Sequence, residues 1–229
     1  MTNLTKKVVL ITGAGWPPGR EVAVSFGQQG AKVAVSDLTP VNLDPIVKEI
    51  QEAGGAAALF DADISKKIPA QTMITAVVEQ WGQIDIVVNI VGVRPEGAIL
   101  NLDEWDWRRS IDVNLTGPFL ATQIIGRAMR EIGGGRILFL ASPPEERQVG
   151  SDRVAFQTAL SGLSGFTRSA ARELGEHNIT VNAVFPSGAL PTVSSPEPTP
   201  EAAALLSGAV TLAEAALRLV APEATSISG

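Results

Sequence analysis

The chain has 229 residues, 45% hydrophobic, 18% charged and 5% aromatic, the profile of one globular domain able to bury a core without covalent staples. It holds no cysteine, no tyrosine and one histidine, His177. That excludes disulfides, thiolate catalysis, sulfur-ligated metals, paired imidazoles and any phenol serving as acid or base. A net charge of −6 makes nucleic acid and anionic membrane poor partners.

Lys7 to Thr12 is a short apolar run ending in glycines, which predicts a strand buried on both faces. Arg20 to Gln29 has helical spacing and stops at Gly30. A second strand follows over Ala31 to Ser36, then a helix over Asp44 to Ala53 with Gly54-Gly55 as its stop. Ala57 to Phe60 predicts a third strand, Pro69 to Trp81 a helix, and Ile84 to Ile90 a fourth strand. Two helices are expected over Asp103 to Val113 and Thr116 to Ile132, then a fifth strand over Arg136 to Leu140. A long helix over Val154 to Leu174 and a sixth strand over Thr180 to Phe185 complete the alternation. Helices over Ala202 to Leu206 and Leu212 to Val220 close the chain.

This rhythm predicts an α/β fold, a doubly wound parallel sheet with helices on both faces. No composition break or charge block divides residues 1–229, so one domain is expected. The irregular stretch 186–208, with five prolines between Pro186 and Pro200, reads as a binding-site lid within it. The start, Met1 to Lys7, lacks a signal peptide's apolar core. Ala202 to Ala221 contains Glu214 and Arg218 and is no membrane span. With no address and no cysteine, cytoplasm is the expected location.

Thr12-Gly-Ala-Gly-Trp-Pro-Pro-Gly19 joins the first strand to the first helix, where a dinucleotide pyrophosphate would lie on the helix N-terminus. Asp37 ends the second strand, where a carboxylate would bond an adenosine ribose. Asp63 ends the third, in Asp-Ala-Asp-Ile with Ile64 after it, and Asn89-Ile-Val-Gly92 ends the fourth.

Together these motifs resemble the short-chain dehydrogenase/reductase family over nearly the whole chain. The pattern Thr-Gly-x-x-x-Gly-x-Gly falls on Thr12 to Gly19, and Asn-Asn-Ala-Gly on Asn89 to Gly92. The helix asparagine falls on Asn114, the strand-end serine on Ser142, and Val-Asn-Ala-Val-x-Pro-Gly on Val181 to Ser187. The resemblance implies a Rossmann-like sheet and NAD held by Gly13, Gly19, Asp37, Asp63, Ile64, Asn89 and Gly92. It implies Ser142 and Asn114 as the remaining catalytic residues. It also implies homo- or hetero-oligomers formed through the helices 116–132 and 154–174, and a small-molecule ligand. Trp16 and Leu38 stand where relatives preferring a 2′-phosphate carry a cation, which favours NAD over NADP. Relatives add one more strand beyond Thr225-Ser-Ile-Ser-Gly229. Either that strand is missing here, leaving an open sheet edge, or the sequence stops short of it.

The departures from the family pattern cluster where its chemistry happens. Its Tyr-x-x-x-Lys pair aligns with Phe156 and Leu160, so the spacing of four survives while the proton donor and the ammonium do not. A positioned acid or base is worth roughly 10²–10⁴-fold, so its loss raises a barrier by about 3–5.5 kcal/mol. Pro17 replaces the middle glycine of the loop and Pro18 a residue whose amide faces the phosphates. Each proline deletes an N–H, and one lost charge-assisted donor weakens binding roughly 10–150-fold. The loop is then a weak NAD site, or a helix start that no longer serves a cofactor. Two readings follow: a non-catalytic scaffold or silent subunit, or an active NAD-dependent oxidoreductase with a relocated acid, for instance Ser142 with Arg153 or a substrate group.

Overall fold

Residues 3–141, 153–185, 211–221 and 224 are described by a computed structural model of the chain. Ser142, Arg147, the segment 186–208 with its expected helix at 202–206, and Thr225 to Gly229 lie outside those residues.

Short apolar runs make the strands. β1 (Val8–Thr12) and β4 (Ile86–Val91) are buried at every residue, because helices cover both faces. With β2 (Lys32–Asp37), β3 (Ala56–Asp61), β5 (Gly135–Ala141) and β6 (Ile179–Val184) they form one parallel sheet in the order β3-β2-β1-β4-β5-β6. The expected doubly wound sheet is therefore present, with β1 central. Chain direction across the sheet reverses between β1 and β4, and the C-terminal ends of those two strands open the crevice where such folds bind ligands.

Alternate residues along each strand feed separate cores. Val9, Ile11, Val33 and Val88 pack under α1 (Gly19–Gln28), α2 (Leu43–Glu52) and the final helix, through Phe26, Ile46 and Leu219. Leu10, Val87, Ile137 and Phe139 pack on the opposite face, under α3 (Lys67–Trp81) and two further helices, through Val77, Ile125 and Leu163.

One sequence expectation is corrected. The two helices read as Asp103 to Val113 and Thr116 to Ile132 are joined without a gap: α4 (Glu104–Ile111), a π-helical turn over Asp112–Thr116, and α5 (Gly117–Glu131). Pro118 explains the turn. It has no N–H, and in a regular helix its ring would press on the carbonyl four residues back, that of Asn114. The wider turn absorbs this, and the Gly117 N–H donates to the Asp112 carbonyl, five residues back.

α6 (Val154–Gly175) and α7 (Leu212–Val220) complete the layers, the latter opened by a reciprocal Thr211–Glu214 cap. At the strands' N-terminal end, the Asp85 carboxylate accepts from Lys7 Nζ at 2.8 Å, from the Val8 N–H at 2.9 Å and from Gln83 Nε2 at 2.9 Å. Burial works against its charge, but Lys7, Val8 and Gln83 together outweigh it and lower its pKa. Among the described residues no helix is long and apolar enough to cross a membrane, and no group of three His, Cys, Asp or Glu is placed to hold a metal.

Candidate functional site

The loop from β1 to α1 is shaped by close approach. Gly13 has φ +73°, and a Cβ there would strike the Ile90 carbonyl. A Cβ at Gly19 would strike Ala14, so α1 can rest against the loop only with glycine at its first position. Three backbone donors of this loop are turned inward. Ala14 N–H donates to the Ser36 carbonyl at 3.0 Å, Gly15 N–H to Asp37 Oδ2 at 3.0 Å, and Gly19 N–H to the Trp16 carbonyl at 2.6 Å. Pro17 and Pro18 have no N–H to offer.

Asp37 closes β2 half-buried, with Oδ1 accepting from the Leu38 N–H at 2.7 Å. Asp63 stands two residues beyond β3 rather than at its end. Its Oδ1 takes the Ser65 N–H at 2.9 Å and the Ser65 hydroxyl at 2.6 Å, shaping the turn into α3. Ile64 is packed into the core beneath α5, against Gly117. Thr12, Ser36 and Asn89 sit side by side on β1, β2 and β4. The Thr12 and Ser36 hydroxyls and both amide atoms of Asn89 are buried without a hydrogen-bond partner, an uncommon state for interior polar groups. Sequence reading singled out Asn89 but not its two neighbours, since the row exists only once the strands are paired.

Gly92 is exposed just past β4. The next residue, Val93, is held by Asn114 from the π turn: Asn114 Nδ2 donates to the Val93 carbonyl at 2.7 Å, and Asn114 Oδ1 accepts the Val93 N–H at 3.1 Å. Ser110 adds a bond to the same carbonyl at 3.2 Å.

Farther along that loop, Gly97 bridges to Arg153 at the entry to α6. Phe156 and Leu160 share one face of α6 and are 3% and 0% exposed. The Arg94 guanidinium lies over the Phe156 ring, 4.8 Å from its centroid, within cation–π range. Arg94 is the residue that sequence reading missed, because no spacing rule links a loop after β4 to a helix sixty residues away. His177 sits in the turn after α6, its N–H donating to the Leu174 carbonyl at 3.0 Å. Trp105 is 62% exposed and stacks with Arg109.

A nicotinamide dinucleotide, the group that the family resemblance implies, meets a divided site. Its adenosine half finds acceptors in the Asp37 carboxylate and the second oxygen of Asp63, while the Asn89 amide is buried within β4. Its diphosphate would meet fewer donors, because residues 17 and 18 lack an N–H and the Gly19 donor is spent on the Trp16 carbonyl.

The fold and its motifs are shared with known proteins. The short chain dehydrogenase pattern matches residues 7–201. The BbsD subunit of a hydroxy(phenyl)methylsuccinyl-CoA dehydrogenase from Thauera aromatica is 36% identical over 184 residues, 80% of this chain and 73% of that protein. A short-chain dehydrogenase/reductase from Burkholderia xenovorans superposes with a TM-score of 0.82 at 28% identity, over all of this chain and 94% of that one. A metagenomic short-chain oxidoreductase in complex with NADP gives 0.75 at 30% identity, over 82% of this chain and 85% of that one. With a pattern match across most of its length and a relative this similar over four fifths of it, the chain belongs to the short-chain dehydrogenase family.

Proposed function

We propose that this member of an NAD(P)-dependent oxidoreductase family has given up hydride transfer and serves as a scaffold or as the silent subunit of an oligomer. The observation that carries this reading is the environment of Phe156 and Leu160. They occupy the positions that the family resemblance gives to its tyrosine and lysine, and both are sealed into apolar packing. The Arg94 guanidinium lies over the Phe156 ring; it stays protonated near neutrality and cannot act as an acid there. NAD binding is weak or lost on the same reading, since the loop has no amide to present at residues 17 and 18.

The proposed assembly surface is the outer side of α5 and α6. Phe119 is 42% exposed and packs edge-on against Phe166 at 6.2 Å, leaving an aromatic pair at the rim of both helices. The inward side of α6 keeps Leu160, Leu163 and Ala170 buried, so the helix holds its place without its chemistry. The Thauera relative is itself named as one subunit of a dehydrogenase, which supports a multi-subunit setting.

The test is an assay of the purified chain with NAD and NADP against a panel of secondary alcohols, beside coexpression with a tyrosine-bearing homologue. Turnover at background, together with copurification, is the expected result. Robust turnover by the unmodified chain, abolished in Ser142→Ala, would overturn the scaffold reading in favour of a relocated acid.

A further inference from the structure

Arg136 and Thr180 are the second residues of β5 and β6 and stand in register across that pair, so their backbones are about 4.8 Å apart. Ile137 and Val181 turn into the core under α3, α5 and α6. Arg136 and Thr180 therefore share the opposite face, that of Leu138. Both lie at the N-terminal rim of the sheet, the end away from the crevice. We propose that they form a site for a small oxyanion, a carboxylate or phosphate group. The site is independent of whether hydride transfer survives.

The Arg136 guanidinium is a cation without a counter-charge. Its Nη1 donates to the Gly135 carbonyl at 3.0 Å, and its Nε is buried with no partner. None of the ion pairs among the described residues includes it. Asp85 accepts the Arg136 backbone N–H on its own carbonyl at 2.9 Å, but its carboxylate is taken by Lys7, Val8 and Gln83. Burial lowers the Arg136 pKa, with no opposing charge to offset it. Arginine stays protonated near neutrality all the same. The side chain is half-buried rather than sealed, so an anion need not cross the core to reach it.

Thr180 supplies the second donor. It is 7% exposed, and its hydroxyl is buried with no partner. Interior polar groups are almost always bonded to protein, to water or to an ion, and here two donors on adjacent strands share one face with no acceptor between them. With Nη1 committed to Gly135, the Nε–Nη2 edge is the one left to give two parallel N–H bonds to a pair of oxygens. The Thr180 hydroxyl then donates to a remaining lone pair. A bridging water would accept from both groups but leave the cation uncompensated, whereas an oxyanion meets both needs.

The experiment is thermal unfolding of the unmodified full chain in rising concentrations of potassium phosphate, potassium acetate and potassium chloride at matched ionic strength. A saturable rise in Tm of at least about 3 °C is expected with phosphate or acetate and not with chloride. A rise with both anions assigns the site to either group, and a rise with one assigns it to that class. General stabilisation by phosphate does not saturate and does not depend on a single side chain. Arg136→Met should abolish the saturable rise. Thr180→Val removes only the hydroxyl at nearly constant volume, and should raise the half-saturating concentration about tenfold even if the methionine variant folds poorly. The absence of a saturable rise overturns the inference. So does an equal rise in chloride, or a rise unchanged in either variant, which would place the anion elsewhere.

Discussion

The Arg94 guanidinium carbon stands 4.8 Å from the centroid of the Phe156 ring, joining the loop after β4 to the first turns of α6. Phe156 is almost completely covered, and the guanidinium itself lies over its ring. A phenol at this position would have a cation over its ring.

That contact is measurable. A double-mutant cycle of Arg94→Ala and Phe156→Leu, followed by urea unfolding, should give a coupling of roughly 0.5–2 kcal/mol. Strict additivity of the two variants would mean that the stack is not formed in solution.

Leu160→Lys should be strongly destabilising, because residue 160 is 0% exposed. An unpaired buried ammonium costs roughly 3–5 kcal/mol, and a chain of this size loses about 2–4 °C of Tm per kcal/mol. Burial depresses the folded-state pKa of the new lysine. Stability of the variant should therefore rise as pH climbs toward the ordinary lysine value of about 10.4. A flat melting temperature between pH 6 and 10 would show that the ammonium escapes to solvent.

Asp85→Ala should cost about 1–3 kcal/mol at pH 7, mostly from the stranded Val8 amide, since Lys7 is half in water and its ion pair is worth little. The folded-state pKa of Asp85 is lowered, so its contribution is complete above the unfolded carboxylate pKa near 4. It fades as pH falls below that, through the folded-state value. Denaturation of parent and variant should converge in acid, and a gap that stays constant to low pH would refute the assignment.

Replacing Pro17 by glycine and Pro18 by isoleucine returns two N–H groups to the loop. At about 1.5–3 kcal/mol per charge-assisted bond, ADP affinity should rise at least roughly tenfold, with adenosine unchanged. An equal gain for both ligands would mean that the substitutions act on loop shape rather than on phosphate donors.

The sheet was legible because its signals are local. Runs such as Val8 to Thr12 and Ile86 to Val91 are apolar throughout and bounded by glycine or polar residues, and burial on both faces demands that composition. The π turn was not legible, since Asn114 and Leu115 read as a break between two helices until Pro118 is set against the backbone four residues earlier. The loop glycines, Asp37 and Asn89 could be read from motif alone. What surrounds them could not, because the Thr12–Ser36–Asn89 row and the Arg94 stack join residues far apart in the chain.

Asn114 presents a donor and an acceptor to the carbonyl and N–H of a single residue, Val93, as a neighbouring strand would. Only a carboxamide can do both. Aspartate would set lone pair against lone pair at the carbonyl, and an apolar residue would strand both backbone groups. The path of the chain beyond β4, and with it the placing of Arg94, therefore depends on an amide twenty-one residues away. Asparagine is demanded here by architecture, independently of any chemistry, and its presence marks the path of the chain rather than a reaction.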